Sequence, residues 1–362
     1  MNPLEHELSY PWPDVPAPGF ATALRPGLYW LRMRLPFALD HINLWLLDDE
    51  IDGAPGFTIV DCGISSPETR AAWEQVFDSM FDGRPLLRLI ATHFHPDHLG
   101  LSQWLADGGE RRRWTAPLWM SATEWTIGRL LSQNTGGIGD EAGERAAAHF
   151  ARHGLTDPES LAKVRARGSG HYAKLVPAVP PSYRRLMAGQ SIAIGPHGAK
   201  RVFEVIVGHG HAPEHVSLYC TEDRLLISGD MVLPRISTNV SVFDVEPEGN
   251  PLPQYLRSLD HYLQLPQDTL VLPSHGRPFT GLHRRVAQQH QHHQARLEEV
   301  HAACARPASA ADILPLLFPR ELDLHQTTFA LGESLAHLHA LWFDGRLRRE
   351  VDPAGVYRFL QA

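Results

Sequence analysis

The sequence predicts a layered α/β sandwich, and three observations carry that prediction. Strand-like segments, a helix and a further strand follow one another between Leu28 and Ile90. The last of these, Leu86-Leu87-Arg88-Leu89-Ile90-Ala91, reads as a buried strand that ends where a dense group of histidines begins. With 362 residues, of which 43% are apolar, the chain can fill a real core and is long for one domain. One large and one small domain is the natural expectation.

In order along the chain, residues 1–26 are rich in proline and read as an extended arm over the surface. From Gly27, Leu28-Tyr29-Trp30-Leu31-Arg32-Met33, Ile42-Asn43-Leu44-Trp45-Leu46-Leu47 and Phe57 to Val60 read as consecutive strands, with a turn around Asp52-Gly53. Ser66 then caps a helix with Pro67 in its first position, running to about Met80. A short helix over Ser102 to Ala106 and a strand over Pro117 to Met120 follow the histidines.

Residues 124–189 read as an inserted helical segment, with helices over Trp125 to Ser132, Glu141 to His153 and Pro158 to Ala166. Gly136-Gly137, Gly168 and Pro177 through Pro181 break it. Either it forms an extra helical layer on the outside, or it caps the site and gives it an apolar substrate pocket. Strands resume at Ser191 to Ile194, Val202 to Val207, Val216 to Tyr219 and Leu225 to Ser228. A helix over Pro253 to Leu263, a strand over Thr269 to Leu272 and a long helix from Leu282 to Ala305 close the large domain at residue 305. On that helix His290 and His293 have the spacing of a ligand pair, but no nearby motif completes a set. A solvated helix face is the expectation there. Residues 306–362 read as a separate small unit: a helix capped by Ser309, a second helix over Phe329 to Phe343, and a hairpin with its turn at Asp352 to Gly355.

Composition excludes several classes. A formal net charge of -8 argues against a surface built for nucleic-acid backbones. Cys62, Cys220 and Cys304 are few, odd in number and widely spaced, and read as reduced thiols of a cytoplasmic protein. The first residues have neither a basic start nor an apolar core of a signal peptide. No apolar run approaches the ~20 residues that cross a bilayer, so no membrane partner is expected.

The chemistry concentrates in Thr92-His93-Phe94-His95-Pro96-Asp97-His98-Leu99-Gly100. Three imidazoles and a carboxylate this close together are costly to bury unless something offsets the crowding. A metal ion does so, because neutral imidazole and carboxylate are ligands of zinc and of borderline ions such as iron(II).

His93-Phe94-His95-Pro96-Asp97-His98 resembles the HxHxDH signature of the metallo-β-lactamase superfamily. Four further motifs extend the resemblance in the expected order. They are Asp61-Cys62-Gly63, Gly210-His211-Ala212-Pro213-Glu214-His215, Ser228-Gly229-Asp230 and Leu272-Pro273-Ser274-His275-Gly276. The resemblance implies an αββα sandwich, two mixed sheets back to back between helices, with two divalent metal ions at one edge. It assigns His93, His95 and His211 to one ion, Asp97, His98 and His275 to the other, and Asp230 as the bridge. Zinc is the default for such ligands, and iron or manganese fits the same set. Asp97 is expected to orient a metal-bound hydroxide as well, and Asp61 to hold a ligand imidazole through its other nitrogen. In the Gly-His-x-Pro-x-His frame His211 is the ligand and His215 packs behind it. Glu214 replaces the usual glycine.

The resemblance also narrows the reaction. Asp230 stands where the zinc β-lactamases of the best-known class have a cysteine, which argues against antibiotic hydrolysis. His95 stands where the flavodiiron branch has a glutamate, which argues against oxygen reduction. The ligand set resembles that of the hydroxyacylglutathione hydrolases. The leading expectation is therefore hydrolysis of a thioester or related acyl ester, with a small-molecule acyl substrate. A lactonase or other esterase, and a ribonuclease on the same metals, are the alternatives. Helices followed by a hairpin at the C-terminus resemble a winged helix, which some hydrolases of this superfamily carry. Its second helix is largely apolar, so internal packing or a homodimer contact is expected there rather than DNA binding.

Overall fold

The computed structural model describes residues 2–112, 114–133, 140–167 and 170–362. Its first sheet opens as an antiparallel meander of β1 (Ala21–Arg25), β2 (Leu28–Arg34), β3 (His41–Ile51) and β4 (Ala54–Val60). The N-terminal arm expected over 1–26 thus ends in an edge strand, with Ala21 opposite Leu31. Leu24 is buried between the sheets, and this anchors it. Helix α1 (Pro67–Val76) crosses to β5 (Leu86–Ile90), parallel to β4. As the sequence predicts, the Ser66 hydroxyl accepts the Thr69 N–H at 3.1 Å and Pro67 sits in the first turn.

Two short helices, α2 (Pro96–Leu99) and α3 (Ser102–Ala106), lead to β6 (Leu118–Met120). The inserted segment contains α4 (Ala122–Ser132), α5 (Asp140–Arg152), α6 (Pro158–Arg167) and α7 (Gly170–Leu175). It returns as β7 (Tyr183–Arg185), which extends the first sheet parallel to β6. The Tyr183 ring stacks on Trp125 of α4 with centroids 4.5 Å apart, which ties this strand to the insertion's first helix. The breaks expected at Gly136-Gly137 and Gly168 lie outside the described residues.

The second sheet is built from β8 (Ser191–Ile194), β9 (Arg201–Gly208), β10 (His215–Cys220) and β11 (Leu225–Gly229), all antiparallel. Helix α8 (Pro251–His261) then brings β12 (Leu270–Pro273) in parallel beside β11. Three helices and two paired strands complete the chain. They are α9 (Leu282–Ala303), α10 (Ala310–Leu317), α11 (Leu324–Phe343) and the pair β13 (Leu347–Val351) and β14 (Tyr357–Gln361).

Strand periodicity sorts the side chains into layers. On β3, Trp45 and Leu47 face the second sheet, where they meet Phe203, Val205 and Leu218. Leu44 and Leu46 face the other way, under Trp73 and Val76 of α1. The outer face of the second sheet is covered by α8, α9 and α11, with Phe150 of α5 among them. The result is helix, sheet, sheet, helix.

The C-terminal helices are locked into this outer layer. Ser309 and Asp312 form a reciprocal capping box at the start of α10. From Ala330 to Leu341 nearly every residue of α11 is buried, so the apolar face of this helix is covered within the chain. Gly332 lets α11 approach the 238–242 segment closely: a Cβ there would stand 2.7 Å from the Ser241 Cβ. The α9 histidines depart from the solvated face expected of them. His293 is fully buried, with Nδ1 3.3 Å from His337 Nε2 of α11, because α11 lies across that face. His290 instead pairs with Asp260 at 3.0 Å. Cys62, Cys220 and Cys304 are buried free thiols. Among the described residues no helix is long and apolar enough to cross a membrane.

Candidate metal centre

The ends of β4, β5, β9, β11 and β12 lie along one edge of the sandwich, and the segments that follow them carry the candidate residues there. This follows from chain direction. β5 runs parallel to β4 and β12 parallel to β11, so the loops after Val60, Ile90, Gly229 and Pro273 emerge together.

The structure gathers the seven predicted residues into two adjoining groups. His93, His95, His211 and Asp230 offer ligand atoms within 4.8 Å of one another, and so do Asp97, His98 and His275. In the first group His93 Nε2 lies 2.9 Å from His95 Nδ1 and 3.2 Å from His211 Nε2. In the second, Asp97 Oδ2 lies 3.4 Å from His275 Nε2 and 3.6 Å from His98 Nε2. Asp230 joins them. Its Oδ2 is 3.4 Å from His211 Nε2, while its Oδ1 is 3.4 Å from His275 Nε2 and 3.6 Å from His98 Nε2. Ligands at ~2.0–2.1 Å around a tetrahedral ion stand roughly 3.3–3.4 Å apart, close to most of these spacings.

The tautomers favour the same reading. His211 Nδ1 faces the Asn239 carbonyl at 2.7 Å, and His275 Nδ1 faces the His41 carbonyl at 2.7 Å. His98 Nδ1 faces Asp61 Oδ2 at 2.8 Å, and His93 Nδ1 faces the Thr92 hydroxyl at 3.0 Å. With Nδ1–H donating to these oxygens, each Nε2 presents a lone pair inward. Two atoms at the centre, His98 Nε2 and Asp230 Oδ1, are buried and make no hydrogen bond among the described residues. Buried polar atoms rarely go unpaired, so convergent lone pairs without donors fit a cation well.

Electrostatics agree. Burial, reinforced by the neighbouring imidazoles, holds His93 well below its ordinary value and His95 down to about 3, so both are neutral. Burial would lower His275 and His98 too, but carboxylates override it: Asp230 and Asp97 raise His275 to about 10, and Asp61, Asp97 and Asp230 raise His98. Burial alone would raise Asp97, yet His98 and His275 bring it down to about 2. The second group therefore attracts positive charge strongly, and a bound cation would take the place of those protons.

Asp61 holds this arrangement from behind. Its Oδ1 accepts the Thr92 N–H at 2.8 Å and its Oδ2 accepts the Thr92 hydroxyl at 3.0 Å, besides facing His98. Its φ of 62° is unusual for a residue other than glycine, so backbone strain accompanies the carboxylate's placement. His215 packs behind the centre, its Nε2 accepting the Asp230 N–H at 3.0 Å. Gly229 makes room for it: φ is 54° there, and a Cβ would meet the His215 ring at 2.4 Å. His209 sits on the exposed side, its Nδ1 2.6 Å from the Pro213 carbonyl.

Sequence reasoning missed two supporting carboxyl groups. Glu124 of α4 is fully buried, and its two oxygens accept the backbone N–H groups of Phe94 at 2.9 Å and Glu214 at 2.7 Å. It thereby ties the loop carrying His93 and His95 to the loop carrying His211, and burial raises its carboxyl to about 7. Glu214, the departure from glycine, accepts the Thr123 N–H at the start of α4. Glu333 of α11 accepts from Asn239, whose carbonyl faces His211. Neither Glu124 nor Glu333 stands in a motif. The only local signal was the position of Glu124 at the start of a helix just after a strand.

Comparison with known proteins matches this geometry. A family model described as "Metallo-beta-lactamase superfamily" matches residues 40–275, and one described as "Metallo-beta-lactamase-like, C-terminal domain" matches residues 297–362. The chain belongs to the metallo-β-lactamase superfamily. Among proteins of that kind it is similar to a probable metallo-hydrolase, YqjP, of Bacillus subtilis (strain 168), at 23% identity over 86% of this chain and 91% of the relative. A crystal structure of a beta-lactamase domain protein from Burkholderia ambifaria is 56% identical over the whole of both chains, with a TM-score of 0.93. A metallo-beta-lactamase family protein from Thermus thermophilus is 28% identical over 94% of this chain and all of its own, with a TM-score of 0.74. The chain is thus a metallo-hydrolase of this superfamily, with a His/Asp cluster of the kind that binds divalent metal.

Proposed function

We propose that the protein is a dinuclear metal-dependent hydrolase acting on a thioester or related acyl ester. The observation that carries this reading is Asp230, whose two oxygens face different ligand groups at 3.4–3.6 Å. One carboxylate shared in this way suits two ions, zinc by default, with His93, His95 and His211 around one and Asp97, His98 and His275 around the other. Two such ions would supply an activated water and polarise the substrate carbonyl oxygen.

The chain's own residues do the rest. Asp97, held ionised between His98 and His275, orients the attacking water and helps move its proton. Asp61 and the Asn239 and His41 carbonyls hold the imidazoles in one tautomer. Phe94 and Tyr172 give the site an apolar flank that suits an acyl group. No serine or cysteine nucleophile is needed. The three thiols are buried, and burial raises Cys62 well above its ordinary value.

The test is thiol release from a panel of acyl-CoA and acylglutathione substrates by protein assayed to hold two metals per chain, with Asp97→Ala as control. Release that vanishes in the variant is expected. No release from any thioester by the metal-loaded protein sinks the reading, and lactones and RNA are then the substrates to try.

A further inference from the structure

Ring contacts run outward from His95 to Tyr172, and the neighbouring His171 meets a second group of rings on the C-terminal helix. The Phe94 ring lies 4.9 Å from that of His95, and Tyr172 of α7 stands 6.2 Å beyond, its hydroxyl donating to the Phe94 carbonyl. The adjacent His171 ring is 6.3 Å from His325 of α11. His325 in turn is flanked by Phe37 at 5.5 Å and by Phe329, one helical turn further on, at 4.9 Å. Phe37 sits in the turn between β2 and β3, just before His41, whose carbonyl faces His275.

These side chains are only half covered. Phe37, Phe94 and Tyr172 are partly buried with one side against the core of the first sheet, and Phe329 is 38% exposed. Large aromatic groups that lie together and half open leave apolar surface in water, the kind of surface that a bound partner covers. We infer that this wall binds the apolar acyl chain of the substrate, and that Phe37, together with His325 and Phe329 from the C-terminal helix, sets the length and shape of chain accepted. A substrate whose carbonyl lies among the histidines must run its chain along one of the surfaces bordering them, and this one offers flat ring faces to methylene groups. The C-terminal helix is held in register with the site: the Ser241 hydroxyl donates to Asn239 Oδ1 at 2.8 Å and lies 3.4 Å from the Phe329 carbonyl, and the Asn239 carbonyl faces His211. Only the choice of an acyl chain rests on the acyl-ester reading; the wall itself does not.

Binding of butanoate, octanoate and dodecanoate to the metal-loaded protein, followed by calorimetry, tests this without any turnover. In the unaltered protein affinity is expected to rise about two- to fourfold per methylene. Phe329→Ala and His325→Ala each weaken dodecanoate binding about tenfold and leave butanoate and metal content unchanged. Phe343→Ala, 54% exposed at the far end of the same helix, leaves the series intact. The inference is overturned by affinity that does not rise with chain length. It is equally overturned by a rise that survives both wall variants, or by an equal loss in Phe343→Ala. If the length dependence appears and follows Phe329 while no thioester is cleaved, the acyl-ester reading fails alone. If thioesters are cleaved with one length profile in every variant, the wall fails alone.

Discussion

The two ends of the sandwich both bury charge, and they do it in opposite ways. Asp49 lies about 26 Å along β3 from the metal edge, since that strand runs from His41 to Ile51 at roughly 3.3 Å per residue. It meets Arg88 in a two-pronged ion pair, Nε to Oδ2 at 2.8 Å and Nη2 to Oδ1 at 3.0 Å. Thr58 donates to Oδ2 at 2.6 Å, and the N–H groups of Glu50 and Gly195 donate to Oδ1 at 2.8 and 3.0 Å. Every lone pair is answered from within the chain. At the metal edge Asp230 Oδ1 and His98 Nε2 are also buried and make no hydrogen bond among the described residues. Burial of charge therefore does not distinguish function from architecture here. Whether the chain completes the partners does.

The largest effect should come from breaking the incomplete end. Asp230→Asn removes the charge shared by the two groups. Hydrolysis is expected to fall by about a thousandfold or more, which corresponds to several kcal/mol of lost charge stabilisation. Metal per chain, read by elemental analysis, should fall with it, while the melting temperature measured in chelator stays within a few degrees. Full metal content and full activity in this variant would remove the bridging role. For the unaltered protein, chelator alone should lower the melting temperature, because metal binds only the folded arrangement.

Breaking the complete end should do the reverse. Arg88→Met leaves the Asp49 carboxylate buried and unpaired, which typically costs about 3–5 kcal/mol. Urea unfolding should show that loss, with metal stoichiometry and turnover of the folded fraction unchanged. Replacing both partners, Asp49→Leu with Arg88→Met, should regain most of the stability, since an apolar pair needs no donors. A double variant as unstable as the single one would mean that the hydrogen bonds from Thr58, Glu50 and Gly195 hold this corner more than the ion pair does.

The same contrast explains what the sequence made legible. His93, His95, Asp97 and His98 stand in one short motif, and His211, Asp230 and His275 each stand in a motif just after a strand, so their resemblance to the superfamily's motifs could point to them. The capped starts of α1 and α10 were equally readable, because a cap is a local hydrogen bond. Glu124 was not, because it acts through the backbone N–H groups of Phe94 and Glu214, and backbone donors leave no trace in residue type. Asp49 and Arg88 were invisible for a different reason: their pairing depends on the order of strands in the sheet. His293 was misjudged because its burial is decided by α11, which packs on it from the other end of the chain.

The smallest effect concerns Glu333, which stands at the border between the two kinds of burial. Burial raises its carboxyl to about 7, and the amide of Asn239, 3.2 Å away, only partly opposes that. An acid raised on folding binds its proton more tightly in the folded chain. It therefore contributes stability that is fully present below the ordinary glutamate range and is lost as pH rises through about 7. Glu333→Gln has no proton to lose. Unfolding free energies of the two proteins should thus diverge between pH 5 and pH 8, the unaltered protein losing on the order of 2 kcal/mol relative to the variant. Urea denaturation at the two pH values measures this directly. A constant difference would mean that Glu333 finds in solution the partners that Asp49 has within the chain, and that only the metal edge buries charge without completing it.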